Sequence, residues 1–303
     1  MRAGDRRALA RALTIVENRW PEARELVTEL YPHTGRALII GLTGPPGVGK
    51  STLADALATR ARDQGKKVAI LATDPTSPFS GGALLGDRVR MEAGSRDPEI
   101  FIRSMASRGH VGGLSASAFE AIGVLESAGR DFILVETVGV GQDEIDVAAA
   151  ALLTVVILTP GLGDEIQAAK AGLLEIADLV VVNKADQEGA DRLVSDLGFG
   201  LGRGEGAPET LRTVATRGEG VSELLAALEG RHLAGGSQAP GRRRRMLEGW
   251  LGSLVARGAV EKARGETWEA AVDALVARSL DPFSAAERIL AALAERKGGD
   301  KRR

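Results

Sequence analysis

The sequence predicts an α/β fold: a mostly parallel sheet covered by helices on both faces, preceded by a helical leader and followed by a helical segment. Three observations predict it. From Leu38 to about Leu228, short apolar runs alternate with segments of helical period, the pattern of a buried parallel sheet. The first apolar run, Ala37-Leu38-Ile39-Ile40-Gly41-Leu42, leads directly into a glycine-rich loop and then a helix face marked by Leu53, Leu57 and Ala61. Hydrophobic residues make up 44% of the 303 residues but aromatics only 3%, so the core must be aliphatic.

Taken in order, residues 5–32 read as a helical leader with Leu9, Leu13, Val16 and Trp20 on one face. Strands are expected at 37–43, 67–73, 99–103, 131–137, 152–159, 179–183 and 211–215. Helices are expected at 51–63, 115–128, 164–176, 188–197 and 220–229. Gly198 to Pro208 reads as a glycine-rich loop, and Leu233 to Gly241 as a linker. Beyond it, 242–297 is helical, with Leu247, Leu251 and Leu254 along one side; Asp281 caps the last helix and Pro282 opens it. Three segments follow: a leader at 1–36, a nucleotide-binding domain at 37–232 and a docking or self-association segment at 242–297.

A net charge of −2 gives no global attraction to nucleic acid or membrane, and the absence of cysteine excludes disulfides and thiolate chemistry. No secretory segment follows Met1, and the longest apolar run, Val147 to Leu158, is too short to span a bilayer; a soluble cytoplasmic protein is expected. Arg242-Arg243-Arg244-Arg245 has no interleaved aromatics and is expected to be a solvated helix face rather than a nucleic-acid site. His33, His110 and His232 are scattered and read as structural or exposed. Trp20, Trp250 and Trp268 are expected to pack helices.

Gly44-Pro45-Pro46-Gly47-Val48-Gly49-Lys50-Ser51 is a complete G-x-x-x-x-G-K-[ST] phosphate loop, set between strand and helix as in P-loop NTPases. Its backbone N–H groups would cradle phosphate oxygens, with Lys50 at the β/γ-phosphates, Ser51 offering a hydroxyl to Mg²⁺, and Thr52 in the first turn beside them. Asn183-Lys184-Ala185-Asp186 follows the strand 179–182. An aspartate there can accept both the N1–H and the 2-amino group of guanine, which adenine cannot offer. Val214-Ala215-Thr216 is expected to complete the base site, with the Ala215 N–H directed at the guanine oxygen. These residues predict a GTPase.

The strand 132–135 delivers Glu136-Thr137-Val138-Gly139-Val140-Gly141-Gln142. Glu136 would sit beside Mg²⁺, and the Gly139 N–H would reach the γ-phosphate. Gln142 lies three residues beyond Gly139, whereas Ras-like GTPases place glutamine directly after the glycine, so the spacing does not assign it the attacking water. Asp74, at the end of the second strand, and Asp87, in the Gly81-to-Met91 segment, can each hold Mg²⁺ through water, orient a water, or cap a helix.

With these residues in place, the chain resembles the methylmalonyl-CoA mutase-associated GTPases of the MeaB/ArgK type from about Ala8 to Leu293. The resemblance is carried by Leu30-Tyr31-Pro32-His33-Thr34-Gly35-Arg36, Asp74-Pro75-Thr76-Ser77-Pro78, Gly81 to Met91, Glu136 to Gln142, and Pro160 to Gln167. It implies a homodimer joined by C-terminal helices, acting as a G-protein chaperone for an adenosylcobalamin-dependent acyl-CoA mutase. It also implies that Lys50 and Ser51 serve phosphate and Mg²⁺, with Asp74, Asp87 and Glu136 near the metal. The loop from Gly161 to Lys170, with Asp164 and Lys170, would report nucleotide state to the mutase, as would Gln142. The chain departs from the family at 189–209, which is glycine-rich where a longer helical insertion is expected. Two alternatives are a nickel-insertion GTPase, which the three dispersed histidines and missing cysteines disfavour, and a phosphotransferase linked to amino-acid transport.

Overall fold

The computed structural model describes residues 5–74, 97, 99–106, 116–137, 143–161, 172–200, 208–234 and 239–299. Seven strands form one sheet: β1 (Leu38–Thr43), β2 (Val68–Asp74), β3 (Ile100–Ala106), β4 (Phe132–Thr137), β5 (Leu153–Leu158), β6 (Leu179–Val182) and β7 (Glu209–Arg212). Their order is β3-β2-β4-β1-β5-β6-β7, and every pairing is parallel. All C-terminal strand ends therefore lie on one edge. The chain steps from β1 over β4 to β2, and later from β4 over β1 to β5. Ligands of open α/β sheets bind where strand order reverses in this way.

The described helices are α1 (Arg6–Asn18), α2 (Ala23–Leu30), α3 (Lys50–Asp63), α4 (Ala116–Ser127), α5 (Asp143–Ala150), α6 (Ala190–Gly200), α7 (Val221–Ala234), α8 (Ala239–Ala263), α9 (Glu266–Val276) and α10 (Pro282–Gly299). Alternation along each strand divides the core. Leu38, Ile40, Leu42, Val155 and Ile157 meet Leu53, Leu57 and Ala61 of α3 and Leu224, Leu225 and Leu228 of α7. On the opposite face, Val156, Leu158, Val180 and Val182 pack with Leu193 and Leu197 of α6. Gly41 also points to that face, where a β-carbon would come within 2.5 Å of Val147 on α5. Helix and sheet are thus in close contact there, and any side chain at 41 would force them apart.

Several expectations need correction. Helix α5 (Asp143–Ala150) is not among the expected helices; the apolar run from Val147 to Leu158 holds its last turn as well as β5, which begins at Leu153 as expected. The last strand ends at Arg212, not 215, because Ala215–Arg217 form a 3₁₀ turn closed by Gly218 and Gly220 at positive φ. The linker is shorter than expected, as α7 continues to Ala234 and α8 begins at Ala239. Leu9, Leu13 and Val16 are buried on α1, but Trp20 is 44% exposed. The helix stops at Asn18, and left-handed Arg19 (φ 52°) turns the chain away before Trp20. The helix expected at 164–176 falls largely outside the described residues.

The arginine run is not uniformly solvated. Arg243 pairs with Glu126 at 2.8 and 2.9 Å, and Glu126, whose side chain is 3% exposed, also accepts the N–H groups of Gly35 and Ala37. Arg242 pairs with Asp178 at 2.8 Å, whose other oxygen takes the Thr154 N–H. Arg244 and Arg245 remain exposed.

The chain divides into two compact units, residues 1–247 and 248–303. In the second, α9 packs on α10, and Asp281 caps α10 through the N–H groups of Phe283 and Ser284. An apolar groove of about 310 Å³ runs between its helices, lined by residues including Val260, Trp268, Leu275 and Ile289. Among the described residues no helix is long and apolar enough to cross a membrane.

Candidate functional site: a phosphate loop joined to a base-reading loop

The loop 44–49 leaves the C-terminal end of β1 and runs into α3, so the first turn of a 14-residue helix faces whatever the loop holds. Two glycines are required by space as well as by φ. At Gly44 (φ 142°) a β-carbon would lie 2.2 Å from the Ile157 carbonyl oxygen, and at Gly49 (φ 91°) 2.6 Å from the Asn183 amide nitrogen. The loop is therefore pressed against the ends of β5 and β6, with no side chain in between.

Lys50 is 6% exposed, and its ammonium donates to the carbonyl oxygens of Gly44 (2.7 Å) and Pro45 (3.0 Å). The positive charge is thus curled inside the loop, where a phosphate would meet it. Ser51 Oγ donates to Glu136 Oε1 at 2.5 Å, although the two residues come from α3 and from the end of β4. Register explains the meeting. Glu136 pairs with Leu42 on one side and Ala72 on the other, and Leu42 faces α3. Glu136, 1% exposed, is thereby directed under the start of that helix. A hydroxyl and a carboxylate as a pair of hard oxygens suit Mg²⁺, which takes one or two protein oxygens and completes its shell with phosphates and water.

Asn183 joins the two halves of the site. It is 2% exposed; its amide nitrogen donates to the Val48 carbonyl (2.9 Å), and its amide oxygen accepts from Thr213 Oγ1 (3.0 Å) and the Ala215 N–H (3.2 Å). Lys184, in the left-handed region at φ 54°, extends over the loop and donates to the Gly47 carbonyl at 2.9 Å. Asp186 stands at the outer end of the motif, 39% exposed at its side chain, and is ion-paired with Arg217. Val214, Ala215 and Thr216 lie opposite, and the Ala215 N–H that the sequence directs at guanine is already donated to Asn183, so a base oxygen would share it.

Of the predicted residues, the structure brings together the 44–52 loop and helix start, Glu136, the Asn183–Asp186 motif and Val214–Thr216. Asp74 ends β2, paired with Ala106 of β3. Asp87, Gly139, Gln142, Asp164 and Lys170 lie outside the described residues. Two members of the site were missed in the sequence. Thr213 is buried beneath Asn183, and Arg217 faces Asp186; each meets a partner about thirty residues away, and no local motif announces such a contact.

Comparison with known proteins places the chain in a family. The sequence model of the family described as methylmalonyl Co-A mutase-associated GTPase MeaB matches residues 9–267. A Pyrococcus abyssi protein bearing the name GTPase is 46% identical over 304 residues, covering 96% of this chain and 94% of its own length. The mouse methylmalonic aciduria type A homolog, a mitochondrial protein, is 37% identical over 283 residues, covering 85% of this chain and 68% of its own. A crystal structure of a LAO/AO transport system kinase superposes with a TM-score of 0.69 at 26% identity, covering 97% of this chain and 95% of that one. The phosphate loop, the Ser51–Glu136 pair and the Asn183–Asp186 segment thus sit in a chain that matches the family over most of its length, and the protein is a GTPase belonging to the methylmalonyl-CoA mutase-associated MeaB family.

Proposed function

We propose that this GTPase is a G-protein chaperone of an adenosylcobalamin-dependent acyl-CoA mutase of the methylmalonyl-CoA mutase type, assisting cofactor loading and protection. The observation that carries the reading is the match to a mutase-associated family across residues 9–267, which extends beyond the nucleotide site into the second unit. In this reading Lys50 and the 44–49 backbone bind the β- and γ-phosphates, and Thr52 lies in the same first turn. Asp186 selects guanine, Lys184 covers the loop, and Val214, Ala215 and Thr216 form the opposite wall. Ser51 and Glu136 would hold Mg²⁺, aided by Asp74 and Asp87, and a bound Mg²⁺ would neutralise charge on the phosphate oxygens. Gly139 and Gln142 follow Glu136 in the loop that senses the γ-phosphate, while Asp164 and Lys170 pass nucleotide state to the mutase.

A homodimer through the second unit belongs to the same proposal. Leu251, Val255, Val276, Phe283 and Leu290, all within 248–303, are each at least 60% exposed, apolar side chains that a second copy could cover.

The test is GTP hydrolysis by the purified protein with and without a cobalamin-dependent acyl-CoA mutase from the same organism. Strong acceleration by the mutase supports the chaperone reading; a slow rate that the mutase leaves unchanged counts against it. One observation favours a second reading, phosphotransfer, namely the similarity to a protein named a transport system kinase. Transfer of labelled γ-phosphate to any acceptor other than water would favour that reading.

A further inference from the structure

We propose that Arg217 is a positioning residue for guanine selection, holding the Asp186 carboxylate from the solvent side so that both oxygens stay aimed at the base. The proposal rests on the reading of Asp186 as the guanine acceptor. The two walls of the base site are tied on their buried side, where Asn183 of one wall accepts from Thr213 and Ala215 of the other. On the outer side, the described tie is Arg217 Nη2 to Asp186 Oδ2. Without it, the base-reading carboxylate would be a short side chain, 39% exposed, on a loop end.

Arg217 is suited to this task because it is itself fixed. Its N–H donates to the Val214 carbonyl at 2.9 Å, and Val214 N–H donates to the Glu219 carbonyl at 3.0 Å, closing a bridge around the 3₁₀ turn. Gly220 (φ 73°) then presses on the Arg212 carbonyl, where a β-carbon would lie only 2.0 Å away. The guanidinium is also held at its other end, Nη1 standing 3.4 Å from Glu219 Oε1. It therefore spans two carboxylates, one structural and one functional, and its rigid fork fixes the direction from which Asp186 is approached.

Each carboxylate oxygen has two acceptor positions. A donor on Oδ2 thus leaves that oxygen a further position and Oδ1 both of its own, enough for the N1–H and 2-amino donors of guanine. An ion pair this exposed adds little to folding stability, so its effect should appear in ligand discrimination.

The experiment compares GDP, IDP and XDP binding by calorimetry for the full chain, Arg217→Ala, Asp186→Asn and the double variant; Arg217→Gln replaces Arg217→Ala if the latter does not fold. IDP lacks the 2-amino group, and XDP presents an oxygen there that an amide can serve. Arg217→Ala is expected to weaken GDP binding roughly threefold to tenfold, a modest pairwise coupling, and to narrow the preference for GDP over IDP. Adding it to Asp186→Asn should leave XDP binding unchanged. Unchanged or tighter GDP binding by Arg217→Ala, or an equal loss for GDP and IDP that persists in the Asp186→Asn background, would overturn the proposal. If Asp186→Asn itself keeps its preference for guanine, the reading of Asp186 fails first, and the role of Arg217 with it.

Discussion

Lys50 spends its charge on two backbone carbonyls of its own loop, and a phosphate would have to draw it away from them or share it. Lys50→Ala should therefore abolish GTP binding while the fold persists; normal affinity in a titration would remove the phosphate-loop assignment. Gly49 faces a stricter limit, being held at φ 91° with the Asn183 amide where a methyl group would go. Gly49→Ala is expected to strain the loop by about 1–3 kcal/mol and to weaken guanine as well as phosphate contacts, because Asn183 must move. Retained affinity for both GDP and pyrophosphate in Gly49→Ala would contradict this. Asp186→Asn should lose discrimination by orders of magnitude, as sites built on buried hydrogen bonds reject mismatched partners by ~10⁴. GTP-over-ATP competition binding reads it directly.

At the scale of elements, the start of α8 is fastened by Arg242 to Asp178, just ahead of β6, and by Arg243 to Glu126 of α4. Removing Arg243 leaves the buried Glu126 carboxylate with only the Gly35 and Ala37 N–H groups among the bonds described above. Arg243→Ala should therefore cost about 2 kcal/mol, within the range for hydrogen bonds to charged groups, seen as a lower thermal midpoint. An unchanged midpoint would show that solvent replaces the pair. His232 on α7 lies nearby; burial, then Arg243 and Lys66, push its pKa below the ordinary histidine value. The folded protein thus resists a proton that the unfolded chain accepts. Stability is unaffected above the ordinary value and falls as pH drops below it, until the folded group also titrates. His232→Gln should reduce the loss of midpoint between about pH 7.5 and about pH 5.5; an equal loss would exclude His232 as a contributor. The strands and most helices were legible because their residues are buried on defined periods. Helix α5 was not legible, because Val147–Ala150 and Leu153–Leu158 are both apolar and only a two-residue turn divides them. The phosphate loop and the base motif were legible because their chemistry is local in sequence. Thr213 and Arg217, and the packing of Arg242 and Arg243, were not, because each depends on a partner brought near only by the sheet.

At the scale of the whole molecule, the exposed apolar residues of 248–303 make association the expected state. Replacing Leu251 and Val255 together by glutamate should convert a dimer to a monomer in sedimentation while basal GTP hydrolysis stays unchanged. A species of unaltered mass would place the interface elsewhere. The nucleotide site has its own large-scale property, since Asn183 and Lys184 each donate a hydrogen bond from the base-reading loop to the phosphate loop. The 183–186 loop and the phosphate loop are therefore tied directly to each other. A partner protein that pulled on the outer loop alone, without touching the nucleotide, would loosen the phosphate turn through those two bonds. Residence time of GDP would then shorten as a single event, and the same linkage would let a tightly held triphosphate stiffen the surface that such a partner reads.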